Sequence, residues 1–131
     1  GPELDALEQL ARKVGVEARV EFPGPVSDDT LLDLYAHARA VVYAPLDEDY
    51  GYVTVEAFNS SRPVITTSDA GGVLEFVTHE ETGLVAEPNP ESLGDCISRI
   101  YSEPKLRDWG RAGHERTNGI TWKNVVEKLT G

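Results

Sequence analysis

Apolar residues recur along the chain in two rhythms, one helical and one of short buried runs. From Glu3 to Gly15, Leu4, Leu7, Leu10, Ala11 and Val14 fall at helical spacing, and Gly15 supplies a stop. A short strand is expected from Arg19 to Phe22. The turn-rich PGPVSDD then leads into a second helix, capped by Ser27 or Asp28, with Leu31, Leu34, Tyr35 and Ala38 on one face. ARAVVYAP reads as a buried strand. After the charged loop DEDYG a helix is expected from about Tyr52 to Asn59, and PVITT follows as another buried strand. SDAGG is a loop, a short helix is expected around Leu74 to Val77, and Gly83 to Ala86 is a strand. Three helical stretches start near Pro90, Pro104 and Thr121.

Strands buried on both faces that alternate with helices predict an α/β fold, a Rossmann-like parallel sheet with helices on both faces. Four strands are expected, each reached by a right-handed crossover. In such sheets the ligand crevice lies beyond the carboxyl ends of the strands. The loops that carry function are therefore PGPVSDD, PLDEDYG and TSDAGG, and the opposite connections are structural.

Composition narrows the function classes. The length of 131 residues suits one domain, and 40% hydrophobic with 27% charged residues is the balance of a globular chain. The lone Cys96 leaves no disulfide framework or multi-cysteine metal site and fits a reducing compartment, so a cytoplasmic location is expected, the cytoplasmic membrane face being open to a parent enzyme. His37, His79 and His114 are scattered and read as ordinary side chains. With no methionine and no signal-peptide pattern, the chain reads as a piece of something longer. Twenty-three acidic against twelve basic residues give a formal net charge of −11, which argues against a nucleic-acid partner.

The chemistry concentrates in DEDYGYVTVEAF, where Glu48 precedes a strand-to-helix turn and Glu56 lies early in the helix. Gly51 lets backbone approach a ligand closely, and the helix start behind it offers unpaired N–H groups and a positive dipole end to a diphosphate. Carboxylates repel phosphate, so the two glutamates would accept hydrogen bonds from hydroxyls, Glu56 from a ribose diol and Glu48 from a sugar. A nucleotide sugar presents diphosphate and two polyol ends in that order. Asp47 and Asp49 read as solvated loop charges, with no third metal ligand in register.

With E-x7-E at Glu48 to Glu56, DYGYVTVEAF, RPVITTSDAGG-x-x-E and ETGLV in order, the chain resembles the retaining glycosyltransferases of family 4, which have the GT-B fold of two Rossmann-like domains facing across a cleft. The resemblance implies that residues 1–131 are most of the C-terminal, donor-binding domain, incomplete at its start, with the N-terminal acceptor domain absent. It implies a UDP or GDP sugar as donor substrate, no cofactor and no metal. The complete enzyme's other partners would be its N-terminal GT-B domain and a glycan, lipid or small-molecule acceptor.

Carried over by position, the pattern gives Glu48 the transferred sugar, as the catalytic-site residue, and Glu56 the donor ribose. Tyr50, where the family commonly has Phe, and Gly51, Tyr52 and Val53 would line the diphosphate and sugar. Gly24, Pro25 and Val26 resemble the loop that meets the nucleobase, and Ala70, Gly71 and Gly72 fall at a paired-glycine loop near the donor. The family's common glycine before PVI is Ser61 here, a structural change expected on the far side from the crevice. The family also places an Arg and a Lys on the diphosphate upstream of where this chain starts. Arg62 lies on the wrong end of a strand to replace them, and Arg107, Arg111 and Arg116 read as solvated helix positions. Trp109 and Trp122 are expected to anchor the terminal helices. Two rival functions are a nucleotide-binding module or remnant without catalysis and a sugar-nucleotide epimerase-like domain.

Overall fold

The computed structural model describes residues 2–45 and 52–118. Within them the chain divides into two units, Gly1–Leu31 and Leu32–Gly131.

The first unit opens with α1, Pro2–Lys13, which has Glu3 and Asp5 in its first turn and Arg12 and Lys13 in its last, complementing the helix dipole at both ends. It stops as expected: Gly15 takes φ +78° and its N–H reaches the Arg12 carbonyl at 3.1 Å. The expected strand from Arg19 to Phe22 is absent. A 3-10 turn spans Glu17–Arg19, and Val20 is extended (φ −118°, ψ 126°) but joins no ladder. Local sequence sets an extended backbone, whereas a strand exists only with a hydrogen-bonded neighbour. At the end of this unit Ser27 accepts the Thr30 N–H at 3.2 Å, the expected cap of α2, Asp28–His37.

The second unit is built on three parallel strands, β1 (Val41–Val42), β2 (Val64–Thr67) and β3 (Gly83–Ala86), in the order β1-β2-β3. Val41 pairs with Val64 and Val42 with Ile65; Val64 pairs with Gly83 and so on to Thr67 with Ala86. This is one strand fewer than expected among the described residues. β1 is also shorter than ARAVVYAP suggests and lies at the edge of the sheet among the described residues, with Val42 exposed. β2 matches the expectation of burial on both faces.

Helix α3, Tyr52–Asn59, connects β1 to β2, and α4, Pro90–Arg99, follows β3. Helix α5 is Leu106–Asn118. Asn89 caps α4 by accepting the Ser92 N–H at 2.7 Å, with Pro90 at the first helical position. Ile65 and Leu84 pack with Ile100 and Trp109, and Leu93, Cys96, Ile97 and Leu106 close around them. Trp109 thus anchors its helix as expected, whereas Trp122 and the helix expected near Thr121 lie outside the described residues. Burial pushes the Cys96 thiol pKa up, as suits a packing residue.

Between β2 and β3 the expected short helix is a 3-10 turn that begins earlier, Gly72–Glu75. His79 sits in an exposed turn but is not bland: its Nδ1 accepts the Val85 N–H at 2.9 Å and its Nε2 faces Glu80 Oε1 at 3.1 Å. Arg116 is likewise not a solvated position. Its Nη1 donates to the Phe76 carbonyl and to Thr78 Oγ1, both at 2.8 Å, so its charge ties α5 to the β2–β3 connection. His114, on the same helix, bridges to the Phe58 carbonyl at 3.2 Å.

Candidate functional site

Parallel strands joined by helices put every helix start at the carboxyl end of the preceding strand. By that rule α3 begins beyond the end of β1, with the first N–H groups from Tyr52 onward lacking intrahelical partners. The helix start expected at Tyr52 is found there. Glu48, Tyr50 and Gly51, the residues expected to complete this turn, lie outside the described residues, as do Asp47 and Asp49.

Glu56 lies on the second turn of α3, exposed, with its carboxylate fixed from one side. Tyr35, on α2, is 8% exposed and donates its hydroxyl to Glu56 Oε2 at 3.0 Å. Burial, followed by the hydrogen bond to Glu56 and that carboxylate's charge, pushes the Tyr35 pKa up to about 12. Tyr35 therefore remains a donor at any physiological pH. One carboxylate oxygen is thereby held in place, and the other has no hydrogen-bond partner among the described residues, an arrangement suited to accepting from a hydroxyl pair. Helical spacing alone puts Tyr35 on the apolar face of α2, and sequence reasoning misses this role. A tyrosine whose ring packs inward still needs a partner for its hydroxyl, and that need is the available signal.

Beyond the end of β2, Thr67 Oγ1 donates to Asp69 Oδ1 at 2.7 Å, and the backbone turns through Ala70, fully buried, to Gly71 and Gly72. Gly71 takes φ +71° and ψ −126°, a conformation that only glycine adopts without strain, and both glycines are half-buried. Gly71 is therefore required by its turn, whatever else approaches it. Val53 is half-buried on α3. Gly24, Pro25 and Val26 are in the first unit and exposed, with Gly24 at φ +69°. Thr54 Oγ1 and Thr66 Oγ1 are buried with no hydrogen-bond partner among the described residues.

Two described cations of the second unit, Arg62 and Arg99, are placed elsewhere. Arg62 donates to the carbonyls of Ser60 and Ala38 at 3.1 Å each, at the amino ends of β1 and β2, as its sequence position implies. Arg99 pairs with Glu103 at 2.9 Å and Glu80 at 3.5 Å. Ser61, too, lies in the turn before β2 at φ +56°, away from the carboxyl ends of the strands, as expected. Among the described residues no three His, Cys, Asp or Glu side chains gather as metal ligands, and no helix is long and apolar enough to cross a membrane.

Residues 1–116 match the family model of glycosyl transferases group 1. An uncharacterized glycosyltransferase of Methanocaldococcus jannaschii is 33% identical over 131 residues, covering 98% of this chain and 33% of that protein. In structure the chain resembles sucrose-phosphate synthase from Thermosynechococcus elongatus, with a TM-score of 0.83, 30% identity, and coverage of 99% of this chain and 33% of that one. It also resembles Anabaena HepE in complex with UDP-glucose, with a TM-score of 0.77 and 25% identity over 97% of this chain and 36% of that one. The chain thus spans about a third of the length of the relatives it matches.

Proposed function

Because the chain belongs to the glycosyl transferases group 1 family, we propose that it is the donor-binding portion of an enzyme that moves a sugar from a nucleotide diphosphate sugar to an acceptor hydroxyl. The observation that carries this reading is the carboxylate of Glu56, oriented by Tyr35 one turn behind the start of α3. A structural relative holding UDP-glucose supports the ligand class.

In this reading residues 1–131 form an incomplete Rossmann-like domain of a retaining, family 4, GT-B enzyme. Glu56 accepts from the ribose hydroxyls. The N–H groups at the start of α3, with Gly51, Tyr52 and Val53, meet the diphosphate, and Glu48 orients the transferred sugar beside Tyr50. Gly24 to Val26 meet the base, and Gly71 and Gly72 let backbone approach the donor. No metal takes part. The enzyme works in the cytoplasm, and its acceptor, a glycan, lipid or small molecule, is held by an N-terminal GT-B domain.

Chemically, the carbon–oxygen bond to the leaving diphosphate breaks as the acceptor oxygen bonds to the same sugar carbon, and the acceptor's hydroxyl proton passes to the departing diphosphate. The protein's part is to place the donor and stabilise the departing negative charge. A single exposed helix start contributes about 0.3–1 kcal/mol toward that charge. The described arginines of the second unit that have partners are engaged away from this crevice. In this reading the diphosphate draws on cations other than these, and the chain alone binds weakly and does not turn over.

The test is a transfer assay on the longer protein that contains this chain, with Glu56→Ala and Glu48→Gln. Glu56→Ala should raise the donor KM, and Glu48→Gln should lower kcat with donor binding retained. Full transfer activity from both variants would overturn the reading.

A further inference from the structure

The amino ends of the strands, opposite the proposed donor crevice, carry a cleft of about 770 Å³. Its walls come from the end of α2, the turn before β2 and the start of α5. Four arginines line it, Arg39, Arg62, Arg107 and Arg111, together with His37 and a single carboxylate, Glu103. For a chain of net charge −11 this is a local reversal of sign.

Two features make it more than a collection of surface cations. Glu103 is already committed, since one of its oxygens accepts from Arg99 Nε at 2.9 Å and the other from the Lys105 N–H at 3.1 Å. It therefore offsets Arg99, outside the cleft, rather than the arginines within it. Two of the four guanidinium groups also donate to backbone carbonyls, Arg62 to Ser60 and Ala38, and Arg39 to Ile100 at 3.3 Å. Groups fixed in this way lose little freedom when they bind. Arg107 and Arg111 are exposed on the first turns of α5 and make no ion pair among the described residues.

We propose that this cleft is a second ligand site that binds a small, multiply charged phosphate compound. Guanidinium forks match phosphoryl oxygens two at a time, and four of them with no free carboxylate between them suit several negative charges in one ligand. The volume is that of a small-molecule site. The lining has no Phe, Tyr or Trp on which a base could stack, so the ligand is recognised by its phosphates rather than by a nucleobase. Outside the lining, Asp33 lies 3.3 Å from His37 Nδ1 and offsets that ring rather than the arginines, and at physiological salt charges beyond about 8 Å are largely screened.

The probe is inorganic tripolyphosphate, titrated into the 15N-labelled 131-residue chain at low and at physiological salt. The site requires saturable shifts at the backbone N–H groups of Ser61, Leu106, Arg107 and Arg111. It also requires at least tenfold weaker binding in the double variant Arg107→Gln/Arg111→Gln, with a smaller loss in Arg107→Lys/Arg111→Lys. Glu56→Ala should leave this binding unchanged, which separates it from the donor crevice. Shifts confined to residues 52–54 and 71–72, absence of saturation, an unaffected Gln double variant, or binding to vesicles containing phosphatidic acid but not to tripolyphosphate would each overturn the proposal.

Discussion

The Tyr35 hydroxyl donates to Glu56 Oε2 at 3.0 Å across the interval between α2 and α3, tying the helix that precedes β1 to the helix that follows it. A buried phenol, 8% exposed, thereby fixes an exposed carboxylate. The pairing explains both why a tyrosine interrupts the apolar face of α2 and why Glu56 has a defined direction.

It also predicts a titration. The Tyr35 pKa is raised to about 12 from the ordinary 10.0, so the folded state holds its proton more tightly than the unfolded chain does. The stabilisation is therefore fully present below pH 10 and is lost as pH rises toward 12. Followed by phenolate absorbance, one of the five tyrosines should ionise late. In Glu56→Ala that late step should move to lower pH but stay above the ordinary value, because burial, the largest cause, remains.

Thr66 supplies a stability prediction. Its hydroxyl is fully buried in β2 and has no hydrogen-bond partner among the described residues. Leaving a buried polar group unpaired costs about 1–3 kcal/mol, and valine has the same branching with a high strand preference. Thr66→Val should raise the unfolding midpoint in urea, by about 1 kcal/mol of stability. A lower midpoint would mean that the hydroxyl stabilises the fold.

Ser61 and Gly110 form a paired constraint. Ser61 is held at φ +56°, and its carbonyl occupies the space where a Cβ on Gly110 would stand. Gly110→Ala should therefore destabilise the chain by about 1–3 kcal/mol through overpacking. Ser61→Gly should stabilise it by about 1 kcal/mol by relieving the left-handed conformation. Denaturant unfolding of the two variants reads both signs.

Arg116 binds the Phe76 carbonyl and Thr78 Oγ1 with one nitrogen and approaches Glu81 with the other at 3.6 Å. Arg116→Gln should cost about 1–2 kcal/mol, since hydrogen bonds from a charged donor carry more than neutral ones. Faster amide exchange at residues 76–82 should accompany it, because the guanidinium holds this connection to α5.

Helices with a strong apolar face and a marked cap are legible in the sequence. Gly15 stops α1, Ser27 caps α2, and Asn89 with Pro90 begins α4, each a local signal. The buried run PVITT identifies β2 because burial on both faces leaves no alternation to misread. Arg19 to Phe22 misleads for the complementary reason, since its extended backbone is local but a ladder partner is not. The candidate site shows the same division. Glu56 follows from its spacing to the helix start, while Tyr35, twenty-one residues away, reads as packing. Arg116 reads as solvated on a helical wheel, although its partners lie thirty-eight and forty residues back in the chain.

Calorimetric titration of the chain with UDP-glucose and with GDP-mannose, repeated on Glu56→Ala, tests the donor-binding role of Glu56 most directly. Weak but saturable binding of at least one of them is expected, reduced tenfold or more in the variant, as follows from loss of charge-assisted hydrogen bonds of about 1.5–3 kcal/mol. Binding of equal strength in the variant, or none to either nucleotide sugar, would contradict it.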